Sequence, residues 1–573
     1  MRTLGEHERA VLLDHLGPAF VSFSDAMSVA DARVLASIRG DLDLMVSRLE
    51  EGAAQALGAH VGHLVVLRLP ALTNEEAAGL GKKRGGISLP ACRHLSDRSI
   101  SALCQHKRQH LDIGISEISE AAAADLVASA DIIVLDHLRG LTADAAKALA
   151  AHDGTLYITV SELSPLAAQS LSSCMGALHL SLGRDDLPFR LTPDVARELA
   201  RSRGRLMLDS VEFQPHAAAV LDALAPYAGT LRIGSDVATT KEVASSLAKH
   251  RGELIVSFGS ELRTDVACEL AKHRGDLTIL APRELSQSSA AQLATHACGK
   301  LTITRLEALS ESVAHELSKH CGPLDITVDN APSDEAVAAL FAHNGTLGVP
   351  LSFVRPGTIA SLVAHGGGLR ITGHESDVSD TWSTLSDELF DRLLLFKGPL
   401  YLEGEIPRHR LVLLSSRRGP LALSSVPQDE QVATTLLNRE GNLYFPDRSS
   451  IESVSAARLF TSSVRCGVLS TTTTQLIGPE AHEAAEVLIS REGPLAMPYL
   501  RYVSAAALRV LCTKSDLSLP RLEELHILSE LGEGVIASDV VPKDCMRTNA
   551  ASPAKPPPRE PSWHSWERLL RSD

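Results

Sequence analysis

The stretch 245–279, SSLAKHRGELIVSFGSELRTDVACELAKHRGDLTI, decides the fold because it says one phrase twice, SSLAKHRGELIV at 245–256 and CELAKHRGDLTI at 268–279. The phrase returns as HELSKHCGPLDI at 315–326 and AALFAHNGTLGV at 338–349. Its glycines, Gly252, Gly275, Gly299, Gly322 and Gly345, are 23, 24, 23 and 23 residues apart. Working outward, the phrase recurs at Gly40, Gly62, Gly85, Gly154, Gly176, Gly204 and Gly229, and more loosely at Gly398, Gly419, Gly441 and Gly493. Such a period implies roughly twenty small units in an array.

Each position in the phrase has a mechanical job. After Gly-x comes apolar-x-apolar, as in Leu254-Ile255-Val256, a short strand with alternate residues turned inward. Twelve residues before the glycine stands a hydroxyl residue in many copies: Ser28, Thr73, Thr142, Ser164, Thr192, Thr240, Ser310 and Ser333. These read as helix N-caps, often followed by acids that suit the positive end of the helix dipole. A leucine precedes many caps (Leu72, Leu141, Leu163, Leu191, Leu309) and an alanine follows four later (Ala77, Ala146, Ala168, Ala196, Ala314), the spacing of a hydrophobic staple. A leucine three residues on completes one apolar helix face, and the repeat glycine reads as the C-cap. A unit this small cannot bury its apolar face alone, so successive units must stack.

Composition agrees. The 573 residues are 44% hydrophobic and only 3% aromatic, which suits many similar small packing units better than one large irregular core. A net charge of −15 argues against a surface built to grip phosphates, so nucleic acid is not an expected partner. The first twenty residues lack a basic start and an uninterrupted apolar run, and nowhere do eighteen apolar residues run without charge. Neither export nor a membrane partner is expected. Nine scattered cysteines without a CxxC pair read as reduced thiols, hence a cytoplasmic location.

The repeat length, the leucine pattern and the order strand, loop, capped helix resemble the leucine-rich-repeat superfamily in an atypical bacterial form, over nearly all of 25–530. The resemblance implies an α/β right-handed solenoid of about 20 strand-helix repeats, with a parallel concave sheet and convex helices. The chain departs from the family in lacking the asparagine or cysteine that follows the strand: Gly259, Pro282, Leu306 and Asp329 stand there instead. The expected organisation is an N-terminal cap at 1–24, a regular solenoid at 25–372, an irregular solenoid at 373–540 with an insertion at 373–389, and a flexible Pro-rich tail at 541–573 ending in a short helix.

Interruptions of the period are the places to look for contacts. The step from Gly176 to Gly204 adds residues around 183–190, and the step from Gly368 to Gly398 adds an acidic excursion containing Trp382. In the tail, Trp563, Trp566 and Leu570 share one helix face, either to cap the array or to fill a partner's groove. Along the concave face the mid-strand residues include Asp43, Val65, Asp112, Ile133, Tyr157, His179, Arg232, Ile255, Arg370, Tyr401 and Tyr444, without a basic or aromatic stripe. Tyr157, His179, Arg232, Arg370, Tyr401 and Tyr444 are the expected binding residues.

His60, His152, His250, His273, His320 and His343 lie two residues before the repeat glycine, and His296 lies three before it. Recurrence at one position reads as a structural duty, capping carbonyls at the helix C-terminus, rather than a metal ladder. Cys298 and Cys321, beside His296 and His320, form the best Cys/His cluster and read as small buried residues. HEAAE at 482–486 lacks the last residue of a zinc HExxH. No phosphate loop, dinucleotide fingerprint or nucleophile elbow occurs. The expectation is a non-catalytic cytoplasmic scaffold for an unidentified protein partner, with no cofactor and no metal. The alternative is a metal-binding or enzymatic protein with its site in the irregular C-terminal third or at Cys298/Cys321, and a third reading makes the C-terminal helix the active part.

Overall fold

The computed structural model describes residues 19–444 apart from short stretches, the longest being 183–190, 209–216 and 374–381. Beyond them it describes 469–470, 475–476, 481–490, 495–496, 502–511, 513, 517–518 and 526–528. The chain forms two compact units, Met1–Glu307 and Ala308–Asp573.

In the first unit's main sheet, each parallel strand pairs with the equivalent strand of the next repeat, from Ala19–Ser22 against Leu42–Met45 to Leu277–Leu280 against Leu301–Leu306. A helix of about two turns connects each pair of successive strands. The strand Ala19–Ser22, inside the stretch expected to be a cap, is thus already a rung. One register row runs Leu42, Leu64, Ile87, Leu111, Ile133, Leu156, Leu178, Leu206, Leu231, Leu254, Leu277 and Leu301. Every member is at most 1% exposed. Each buried side chain contributes roughly 1.5–3 kcal/mol of transfer free energy, and only stacking removes it from water. The second unit repeats the arrangement from Leu324–Val328 to Leu443–Tyr444, with Leu324, Leu347, Leu369, Leu400, Leu421 and Leu443 in register. Each unit is therefore an α/β solenoid of strand-helix repeats.

Farther along, Leu469–Ser470, Leu495–Ala496 and Leu517–Ser518 form one parallel ladder, while Gln475–Leu476, Tyr502–Ser504 and His526–Leu528 form another. The repeat persists there with two short strands per copy. A second ladder also exists near the start, where Ala26–Met27 pairs with Arg48–Leu49.

The capping reading holds at every position named for it. Ser28, Thr73, Thr142, Ser164, Thr192, Thr240, Ser310 and Ser333 each accept the backbone N–H three residues on, and Thr73 with Glu76 closes a full capping box. The staple leucines and alanines are all buried.

The glycine reading requires a correction. Among the described glycines only Gly52 and Gly404 have positive φ, so the repeat glycines are not left-handed C-caps. Their reason is closeness: a methyl group on Gly252 would collide with the carbonyl oxygen of Gly229, and one on Gly275 with that of Gly252. Backbone stacks directly on backbone there, and only a residue without Cβ fits.

A second correction concerns register. Asp112 pairs with Val134 and Val134 with Tyr157, so Val134 faces outward and Ile133 is a fully buried core residue. Asp131 occupies the place of the repeat glycine, and the strand Ala130–Gly140 carries a bulge between Leu135 and Leu138, with His137 at φ 75°.

Candidate functional site

Two groups of side chains stand out from the repeat, one on the outer sheet face and one inside the turn that joins helix to strand.

On the first unit's face, the register places Val134, Tyr157, His179, Met207 and Arg232 side by side. The Tyr157 and His179 rings stack with centroids 4.0 Å apart and planes 27° from parallel. Tyr157 is 38% exposed, and His179, Met207 and Arg232 are half-buried beside it. One residue pair along the same strands, Thr159 Oγ1 donates to Asp136 Oδ1 at 2.9 Å and lies 2.8 Å from Ser181 Oγ. The face thus offers a stacked Tyr157–His179 pair with Val134 on one side and Met207 on the other, and a hydroxyl-carboxylate row next to it. Such amphipathic surface with few rotatable bonds costs little entropy to immobilise.

The second unit's face is ionic. Arg370 donates to Asp325 Oδ2 at 3.2 Å and to Glu403 Oε2 at 2.8 Å. It reaches Asp325 across the intervening rung because Gly348 has no side chain in the way. Its carbon Cζ lies 5.4 Å above the Tyr401 ring. The two carboxylates outweigh the cost of burial and hold the guanidinium in its charged form more firmly than usual. Tyr401 itself is only 4% exposed, so its ring is core rather than the binding surface the sequence suggests. Tyr444 sits in register with Ala422.

Trp382 also differs from expectation. It is 1% exposed, its Nε1 donates to the Glu403 carbonyl at 2.9 Å, and its ring meets Phe390 edge to face. Arg410, in the helix Arg408–Leu414, donates to the carbonyls of Trp382 and Leu385 and lies over Phe390. The tryptophan fastens its segment to the array and is no surface contact. The insertion at 183–190 and Cys298, Trp563 and Trp566 lie outside the described residues. Cys321 is exposed rather than buried, and its thiol is free.

The inner group is built on the position two residues before the repeat glycine. His250 Nε2 donates to the Gly229 carbonyl at 3.0 Å, His273 Nε2 to Gly252 at 3.0 Å and His152 Nε2 to Asp131 at 3.2 Å. A carbonyl can only accept, which fixes the proton on Nε2 in these rings. The duty is structural, as expected, but the acceptor is the backbone of the preceding rung rather than the histidine's own helix end. Sequence reasoning missed that other residue types fill the same slot. Lys83 Nζ donates to the His60 carbonyl at 2.8 Å and to Gly62, Tyr227 OH donates to Gly204, Cys174 Sγ to His152 at 3.6 Å, and Arg417 to Gly398. The fixed offset from the glycine is the signal that connects them. The slot is buried, and burial pushes the Cys174 thiol up and the His250 imidazole down to about 4.

Among the described residues, no group of three or more histidine, cysteine or acidic side chains is placed to hold a metal ion, and no helix is long and apolar enough to cross a membrane.

Neither a family model nor a curated protein sequence matches the chain. Solved structures similar to it include a leucine-rich-repeat protein of Leptospira interrogans, 14% identical, covering 64% of this chain and 93% of that one at a TM-score of 0.30. An internalin of Listeria monocytogenes is 13% identical, with 65% and 88% covered and a TM-score of 0.25. Toll of Drosophila, in complex with Spatzle, is 10% identical, with 92% and 68% covered and a TM-score of 0.28. The α/β solenoid of each unit stands on the repeat and the strand register described above.

Proposed function

We propose that the chain is a non-catalytic cytoplasmic scaffold that binds a protein partner through the sheet face of its first unit, centred on Tyr157 and His179. The observation that carries this reading is the exposed Tyr157 ring stacked on His179, beside Met207, on an otherwise regular face. Aromatic anchors of this kind dominate binding free energy, and truncating one typically costs 2 kcal/mol or more, about thirtyfold in affinity. Arg232 extends the patch, and Arg370 is held by its two carboxylates as a positioned charge on the second unit's face.

The test is affinity capture from the native cell with the full-length protein, comparing wild type with Tyr157→Ala/His179→Ala. Loss of the same captured protein, with unchanged thermal stability of the variant, is the expected result. Equal capture by both would remove this face as the binding site.

A further inference from the structure

The imidazoles of His250, His273 and His296 form a column through three successive rungs. Their centroids are 6.0 and 6.3 Å apart and their planes are within 3° and 4° of parallel. All three side chains are buried, at 2%, 1% and 0% exposure. His250 and His273 spend their Nε2 protons on the glycine carbonyl of the rung before, and their Nδ1 atoms are buried with no hydrogen-bond partner among the described residues. These bonds lie beside the places where glycine backbone stacks on glycine backbone.

We propose that this column is a proton-operated latch: the neutral imidazoles hold the rungs from Gly229 to Gly299 together, and their protonation in mild acid uncouples those rungs while the chain elsewhere stays folded. On His250 and His273 a second proton must enter at Nδ1, which is buried and makes no hydrogen bond in the closed array, and two neighbouring rings so charged would repel at 6.0 Å. Opening the rungs hydrates the rings and relieves both costs. Among the charged groups around the column, Asp276 favours protonation of His273 and His296. The Glu253 carboxylate accepts from Thr230, and the Lys249–Asp222 and Lys272–Glu269 pairs lie on the helix surfaces. Arg251 and Arg274 are exposed, and Tyr227 closes the column with its ring 5.5 Å from His250.

The sign follows from linkage. Burial lowers all three pKa values below the ordinary 6.5, with His250 at about 4. The open form then binds more protons between those limits, so the latch is at full strength above about pH 6.5 and weakens as pH falls toward 4. Each additional proton raises the opening equilibrium by up to tenfold per pH unit.

Amide hydrogen exchange of the full-length protein at pH 6.5 and pH 5, corrected for intrinsic rates, provides the test. Protection of strand amides in 254–303 should fall at least tenfold in wild type, and less than twofold in His250→Gln/His273→Gln, whose amides can still donate to the glycine carbonyls. Undiminished protection in wild type, or an equal fall in the variant, would overturn the proposal. Should the variant fail to fold, carbon-13 histidine spectra of wild type decide: column imidazoles still neutral at pH 5 in the folded protein support it, and titration near pH 6.5 sinks it.

Discussion

Gly252 and Gly366 show how a residue's cost is set by what stands next to its Cα. A methyl group on Gly252 meets the Gly229 backbone, which cannot rotate away, whereas one on Gly366 meets nothing within 4 Å. Gly252→Ala should lower unfolding free energy in urea by about 3 kcal/mol, at the upper end of overpacking penalties. Gly366→Ala should be neutral or stabilising by up to about 1 kcal/mol through the unfolded chain. Trp382→Ala belongs at this scale too. It removes a buried ring and the donor to Glu403, so the melting transition should report a loss of about 3–5 kcal/mol. Partner capture through Tyr157 should be unchanged, since the two lie in different units.

At the scale of the element, the helices are too short to stand on propensity, and their ends carry much of the local stability. Thr73 caps the helix Asn74–Gly81 with a reciprocal box, so Thr73→Ala should cost about 1–2 kcal/mol by urea denaturation. The helix Thr264–Leu270 begins at Arg263, which makes no side-chain cap. Arg263→Ser should therefore stabilise by about 0.5–1 kcal/mol, because the exposed Arg263–Asp265 pair it removes is worth little. The caps and staples were legible in the sequence because they depend on residues three or four apart. The face of Ile133 was not, since Asp131 stands where the glycine marks the phrase in other copies; counted from Asp131, Ile133 turns inward and Val134 outward, as Leu156 and Tyr157 do after Gly154.

For the whole molecule, stability comes from neighbour on neighbour, so a rung matters as a spacer of fixed length. Excising 253–275, one full period, joins Gly252 to Asp276 and restores the same sequence of leucine, cap and glycine. That variant should keep a cooperative melt with parallel-sheet circular dichroism, whereas excising 253–264 should not, because half a period breaks the register row. The period and the leucine row were readable from one sequence because every copy states them. The burial of Trp382 and Tyr401 was not, because the groups that bury them, Glu403 and Arg410 for the one and Arg370 for the other, come from separate rungs. The Tyr157–His179 stack was visible only as two residues at equivalent positions, and its closeness is a property of the pleat.

The position that faces the previous turn's backbone accepts histidine, lysine, tyrosine, cysteine or arginine, because what it satisfies is a peptide oxygen, the same in every copy. Point changes there can alter size, charge and titration one turn at a time while the glycine rail beside them stays fixed. An array of similar copies can thus be chemically distinct along its length without losing the alignment that lets it fold.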